Sequence, residues 1–132
     1  MDYEIIAAAY EKIEATTKRL EMTDLLVDLL KRTPKEVIAK VVYLTQGKLY
    51  PDFTGIEIGV AEKLAIKALV RASGRKESEF LTDLQKSGDI GDAAERLLAK
   101  KKQSTFFSRT LTVEHVYETL DKMAKTSGPG AV

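Results

Sequence analysis

Residues 33–42 read Thr33-Pro34-Lys35-Glu36-Val37-Ile38-Ala39-Lys40-Val41-Val42, and this stretch decides between a helical and a mixed fold. Its β-branched residues would also suit a strand. The four residues before them favour a helix, because threonine can cap a helix start, proline suits the first turn and glutamate three positions after the threonine completes a capping box. The segment therefore predicts a helix that begins at Thr33-Pro34 and is the most buried of the fold, since it is apolar on most sides.

Helical periodicity extends on both sides of this segment, with apolar residues recurring at spacings of three and four. Asp89 is the expected cap of one later helix, and the last helix is predicted to run from Thr112 to about Lys125. One first helix is predicted to carry Ile6, Tyr10, Ile13, Thr17 and Leu20 on a single face. We predict an all-α domain over residues 1–132, with about seven helices in a compact irregular bundle and one long Gly/Pro loop from Gln46 to Gly59.

Composition excludes several classes of protein. The 132 residues are 44% hydrophobic and 31% charged, which is typical of a soluble globular domain, and no membrane span or export signal is expected. There is no cysteine and one histidine, His115, which excludes disulfides, thiolate metal sites and histidine-rich centres; His115 is interpreted as a cap or surface residue. We therefore expect no catalytic or metal-binding residue. Because no export signal is expected, the predicted location is cytoplasmic or nucleoid-associated (nuclear if eukaryotic). The scarcity of Asn and Gln favours a heat-adapted source.

Positive charge is concentrated in two segments, although the total net charge is only +1. Residues 31–50 carry five cations and one anion, including Lys48 in the loop Gly47-Lys48-Leu49-Tyr50-Pro51. A lysine on a glycine loop can contact a phosphate backbone, and a structural turn explains the loop equally well. The second segment, residues 100–109, carries four cations and no anion. Such segments suit a polyanion or, alternatively, are solvated surface.

Two adjacent phenylalanines, Phe106 and Phe107, lie within the second basic segment. In a short 3₁₀ turn both rings project as a fork that could anchor in a hydrophobic pocket of a partner. The alternative is a loop folded back on its own core.

These segments together resemble the start of the N-terminal DNA-binding domain of ATP-dependent DNA ligases of the archaeal and eukaryotic type. The loop Gly47-Lys48-Leu49-Tyr50-Pro51 is the most specific element, and the resemblance covers nearly the whole chain. The matching stretches are Tyr10–Leu20 with the leucine-rich helix after it, Tyr43–Phe53 continuing through Gly55–Gly59, Gly88–Asp92, and Leu111–Tyr117 continuing through Ala124–Gly128.

The resemblance implies a helical domain that grips duplex or nicked DNA by backbone and shape rather than base sequence. By this resemblance DNA-contacting residues are Lys48 and, in the turn after the last helix, Ser127, Gly128 and Gly130. Gln103, Phe106 and Phe107 resemble the short motif by which replication proteins dock on the sliding clamp, PCNA. The adenylation domain is expected to be absent, so ATP and Mg²⁺ are implied only for the full-length ligase and this chain should not seal nicks alone. The alternative is a stand-alone helical adaptor that binds proteins only.

Overall fold

A computed structural model describes residues 1–99 and 110–126. Within these residues the protein is helical and contains no sheet, which confirms the all-α prediction. One isolated antiparallel bridge joins Asp2 to Thr112. The described α-helices are α1 (Tyr3–Glu14), α2 (Arg19–Lys31), α3 (Ile38–Thr45), α4 (Glu62–Ser73), α5 (Glu77–Ser87), α6 (Ile90–Ala99) and α7 (Val113–Lys125), and a 3₁₀ turn spans Asp52–Thr54.

The described chain divides into two compact units. The first unit combines Met1–Gly59 with α7, so it is built from the two ends of the described sequence. The chain start holds α7 in place, because the Tyr3 amide donates to the Leu111 carbonyl and the Val113 amide donates to the Met1 carbonyl, both at 2.8 Å. Its buried core consists of Ile6, Ala9, Leu29, Val37, Val41 and Val113.

The second unit begins at Val60 and contains α4, α5 and α6. Its core is Ile66, Phe80, Ala93 and Leu97, with one or two residues from each helix. Gly88 ends α5 with a left-handed φ of 71°, and Asp89 then caps α6 as predicted, accepting the Asp92 amide at 2.8 Å. The single-domain assignment predicted for residues 1–132 stays a prediction.

The first helix was predicted to extend too far, so its predicted single face was wrong. α1 ends at Glu14 and α2 begins at Arg19. Between them the Thr16 hydroxyl accepts the Lys18 amide at 3.2 Å and donates to Glu21 at 3.0 Å. Such local side-chain bonds compete with the helical backbone ladder. Leu20 consequently lies on the surface, 83% exposed.

The start predicted for the third helix was also wrong, although its helical class was right. α3 begins at Ile38, and residues 34–37 form a turn closed by the Val37 amide on the Pro34 carbonyl at 3.1 Å. Thr33 makes no capping bond to α3, because its hydroxyl donates to the Leu29 carbonyl at 2.7 Å and completes the end of α2. α3 is the least exposed of the described helices, as predicted: Val41 is fully buried, and only Ala39 and Val42 of the helix are exposed.

The long loop between α3 and α4 matches the prediction. Over residues 46–61 the chain contains only the one short 3₁₀ turn. Gly47 and Gly55 adopt φ of 72° and 70°, values that disfavour any residue with a Cβ. The two glycines therefore let the chain reverse at each end of the Lys48 segment. None of the helices in the described residues is long and apolar enough to cross a membrane.

Candidate nucleic-acid interface

The loop after α3 is fixed onto α7 by two tyrosine hydroxyls within the first unit. Tyr117 of α7 donates to the backbone carbonyl of Leu49, and Tyr50 of the loop donates to Asp121 of α7 at 2.8 Å. The two tyrosine rings meet edge to face, with centroids 6.3 Å apart. Leu49 is 1% exposed, so the centre of the loop is packed like a core segment. The loop is thus a well-anchored structural turn, and the same loop carries the lysine that was predicted to contact phosphate.

Lys48 lies in this loop and projects toward solvent. Its amide donates to the Tyr43 carbonyl at 2.9 Å, which joins the loop to the end of α3. Its ammonium is 2.8 Å from the Asp52 carboxylate, in a pair whose side chains are 38% and 81% exposed. The cation predicted to contact phosphate is therefore accessible but already neutralised by a neighbour.

A second lysine lies against the same loop. Lys125 places its ammonium 5.4 Å from the centre of the Tyr50 ring and 3.1 Å from the Asp121 carboxylate. The Tyr50 hydroxyl, and after it Lys125, lower the pKa of Asp121. Asp121 thus stays ionised and holds both the aromatic ring and the cation in position.

Tyr117 is the other aromatic residue of this arrangement, and it also carries a cation. The Lys40 ammonium of α3 lies 5.3 Å from the centre of its ring. Burial, followed by the proximity of Tyr50 and Asp121, raises the pKa of the Tyr117 phenol, so the phenol remains a donor to Leu49. Three lysines are therefore part of one small group of loop and helix residues. We call this group the loop–α7 network; it consists of Lys40, Lys48, Leu49, Tyr50, Asp52, Tyr117, Asp121 and Lys125.

Sequence reasoning identified Lys48 but missed the residues that hold its loop. Tyr50 and Asp121 are 71 positions apart in sequence. A signal for Asp121 was present, because it follows Tyr117 by one helical turn and is therefore an acidic side chain beside an otherwise apolar stripe. An acid at such a position needs a polar partner.

The remaining predicted site residues lie outside the described part of the chain: the clamp-binding residues Gln103, Phe106 and Phe107, and the DNA-contacting residues Ser127, Gly128 and Gly130. His115 is exposed, and its backbone amide donates to the Thr112 hydroxyl at 3.1 Å, so its position agrees with a surface residue at a capped helix start. Among residues 1–99 and 110–126, no cluster of three or more His, Asp and Glu side chains could hold a metal ion.

Fold and loop define a small helical module with a lysine-bearing, rigid glycine loop, and comparison with known proteins agrees with the sequence resemblance. A family model described as "DNA ligase N terminus" matches residues 2–132. The chain is 52% identical over 128 residues to a DNA ligase of Nitrosopumilus maritimus, covering 97% of this chain and 22% of that protein. It is 51% identical over 138 residues to DNA ligase 2 of Thermofilum pendens, covering 99% of this chain and 23% of that protein.

The chain therefore belongs to the DNA ligase N-terminal family. It spans less than a quarter of the length of these curated relatives. A DNA ligase of Thermococcus onnurineus, 41% identical over 131 residues, shows the same proportion, with 99% of this chain and 23% of that protein covered.

Proposed function

We propose that this chain is the non-catalytic, DNA-contacting N-terminal part of an ATP-dependent DNA ligase that seals nicks in replication and repair. The observation that carries the proposal is the family match over residues 2–132, together with the rigid Lys48 loop on α7. The chain holds duplex or nicked DNA without reading base sequence. ATP and Mg²⁺ serve the whole ligase, and the protein works in the cytoplasm or at the nucleoid.

The loop–α7 network supports phosphate contact because its backbone is preorganised while its cations remain on the surface. Exposed ion pairs contribute only about 0–1 kcal/mol, so a DNA phosphate can replace Asp52 as the partner of Lys48 at little cost. A lysine and a backbone phosphate form a contact that carries no sequence information. The loop is thus suited to non-specific binding of duplex DNA.

Fluorescence anisotropy with a labelled nicked duplex, at salt concentrations from about 50 to 200 mM, tests DNA contact. Lys48→Ala should weaken binding and reduce the slope of log affinity against log salt by about 0.9, the value for one lost phosphate contact. Asp52→Asn should strengthen binding, since it frees Lys48 and removes a negative charge. Lys12→Ala, a lysine change on α1, is the matched control. Failure of the unaltered chain to bind duplex in a salt-dependent way would overturn the proposal.

We also propose that Gln103, Phe106 and Phe107 dock the protein on the sliding clamp, PCNA. The support is chemical: an amide that can form paired hydrogen bonds, and two aromatic anchors among cations that suit an acidic clamp surface. Calorimetric titration with the trimeric clamp should give saturable binding that the Phe106→Ala/Phe107→Ala variant loses.

Phe53→Ala is the control for that titration, because Phe53 is 90% exposed and lies in the loop. If neither the unaltered chain nor the double variant binds and the double variant is less stable, the two phenylalanines belong to a core and clamp docking is rejected. Clamp binding without any duplex binding would instead favour the protein-interaction adaptor.

A further inference from the structure

A basic stripe, which we define as Lys63, Lys67 and Arg71, runs along α4 in the second unit. The three residues are spaced by four positions, so they lie on one side of the helix and extend over about 12 Å along its axis. All three are exposed, whereas Ile66 and Ser73 of the same helix are buried. The stripe is therefore a surface feature beside the face that builds the core.

No carboxylate neutralises the stripe within residues 1–99 and 110–126. Within the described residues Lys63, Lys67 and Arg71 have no carboxylate oxygen within 4.0 Å, whereas Arg75, four positions after Arg71, is paired with Glu79 at 3.7 Å. Like charges four residues apart on a helix repel one another and destabilise it. This charge pattern therefore does not stabilise α4, whereas a bound anion would relieve the repulsion between the three cations.

The surroundings of the stripe favour a linear polyanion over a small anion. Lys67 and Arg71 line a cleft of about 610 Å³ together with Leu64, Ala68, Val70 and Glu77. The Glu77 carboxylate disfavours an anion deep in this cleft. A row of phosphates lying on the outer surface of α4 avoids it, and the small exposed side chain of Ala68 leaves room for a close approach.

We propose that the basic stripe of α4 is a second phosphate-contacting surface, separate in sequence from the Lys48 loop, that binds the backbone of duplex DNA. This inference rests on the proposed function, since it names a further site for the same ligand. Phosphates recur regularly along a DNA strand, so a stripe about 12 Å long can face more than one of them. Flexible lysines suit such contacts, which depend on charge rather than on base identity.

The test compares two double variants of equal charge in the same nicked-duplex titration across salt. Lys63→Gln/Lys67→Gln should reduce the slope of log affinity against log salt by about 1.8, corresponding to two lost phosphate contacts. The control, Lys12→Gln/Lys86→Gln, should leave the slope close to that of the unaltered chain. Thermal melting of each variant verifies that the fold is kept, and the single change Lys67→Gln provides a second stripe variant that removes two like-charge pairs from α4.

If the unaltered chain binds duplex and the stripe variants behave like the control, the stripe is not a DNA site and the proposed function stands. If the unaltered chain does not bind duplex at all, both fail. Loss of clamp binding in the stripe variants with duplex binding retained would assign the stripe to a protein partner and also overturn this inference.

Discussion

Tyr117→Phe tests the loop–α7 network by removing one hydroxyl and little else. The edge-to-face contact with Tyr50 survives, because phenylalanine keeps the ring. The Leu49 carbonyl loses its side-chain donor, and with Leu49 1% and Tyr117 8% exposed, water has little access to replace it. Leaving a buried acceptor unsatisfied costs roughly 1–3 kcal/mol. We expect the free energy of unfolding to fall by about 2 kcal/mol, within that range.

Two other tyrosine variants calibrate this value. Tyr50→Phe should cost less, about 0.5–1.5 kcal/mol, because Asp121 keeps Lys125 as a partner and its side chain is still 21% exposed to water. Tyr3→Phe should cost least, since within the described residues its hydroxyl makes no hydrogen bond that would be lost. The chain has five tyrosines and no tryptophan, so tyrosine fluorescence can accompany circular dichroism in urea titrations. A Tyr117→Phe cost within about 0.5 kcal/mol of the Tyr3→Phe cost would refute the reasoning, since ordinary surface changes are of that size.

Three further changes have defined outcomes. The lowered pKa of Asp121 implies stability that is present above about pH 4 and lost as the pH falls through the folded pKa, so urea titrations at pH 5 and pH 3 should show a smaller acid loss in Asp121→Asn. An equal acid loss in both proteins would contradict this. Asp89→Ala removes the 2.8 Å cap on the Asp92 amide and should cost about 1 kcal/mol in the same titration, whereas Asp89→Asn should restore most of it. Lys67→Gln removes two like-charge pairs one turn away and should stabilise the chain by about 0.4–1 kcal/mol while weakening duplex binding, and a loss of stability would argue against like-charge repulsion on α4.

Features that depend on neighbouring residues were predicted well from the sequence. Asp89 caps α6, and Gly88 ends α5, because each effect is complete within a few residues. Two helix boundaries were nevertheless predicted wrongly, also for a local reason. The hydroxyls of Thr16 and Thr33 were available to several backbone partners, and Thr33 bonded to the helix behind it rather than the helix ahead.

The candidate site was only partly predictable, because its support is not local. Glycines and Lys48 marked the loop as a candidate site, but the Lys48–Asp52 pair could not have been anticipated, because a spacing of four brings side chains together only in a helix and both residues lie in the loop region. Tyr50 and Asp121 could not have been paired by periodicity, since only the tertiary fold brings residues so distant in sequence together. The basic stripe of α4 was readable as a repeat of four, but its lack of carboxylate partners within the described residues required the structure.

The first unit is assembled from two separate parts of the sequence, with the helices of the second unit encoded between them. On the ribosome, α4, α5 and α6 are therefore complete before α7 is made. The hydrogen-bond partner of Tyr50 lies 71 residues later in the sequence, and synthesis of these residues at about 5–20 residues per second takes roughly 4–14 s. The loop therefore becomes anchored to α7 only late in synthesis. A nascent chain that pauses before α7 is made would expose Lys48 on an unanchored loop.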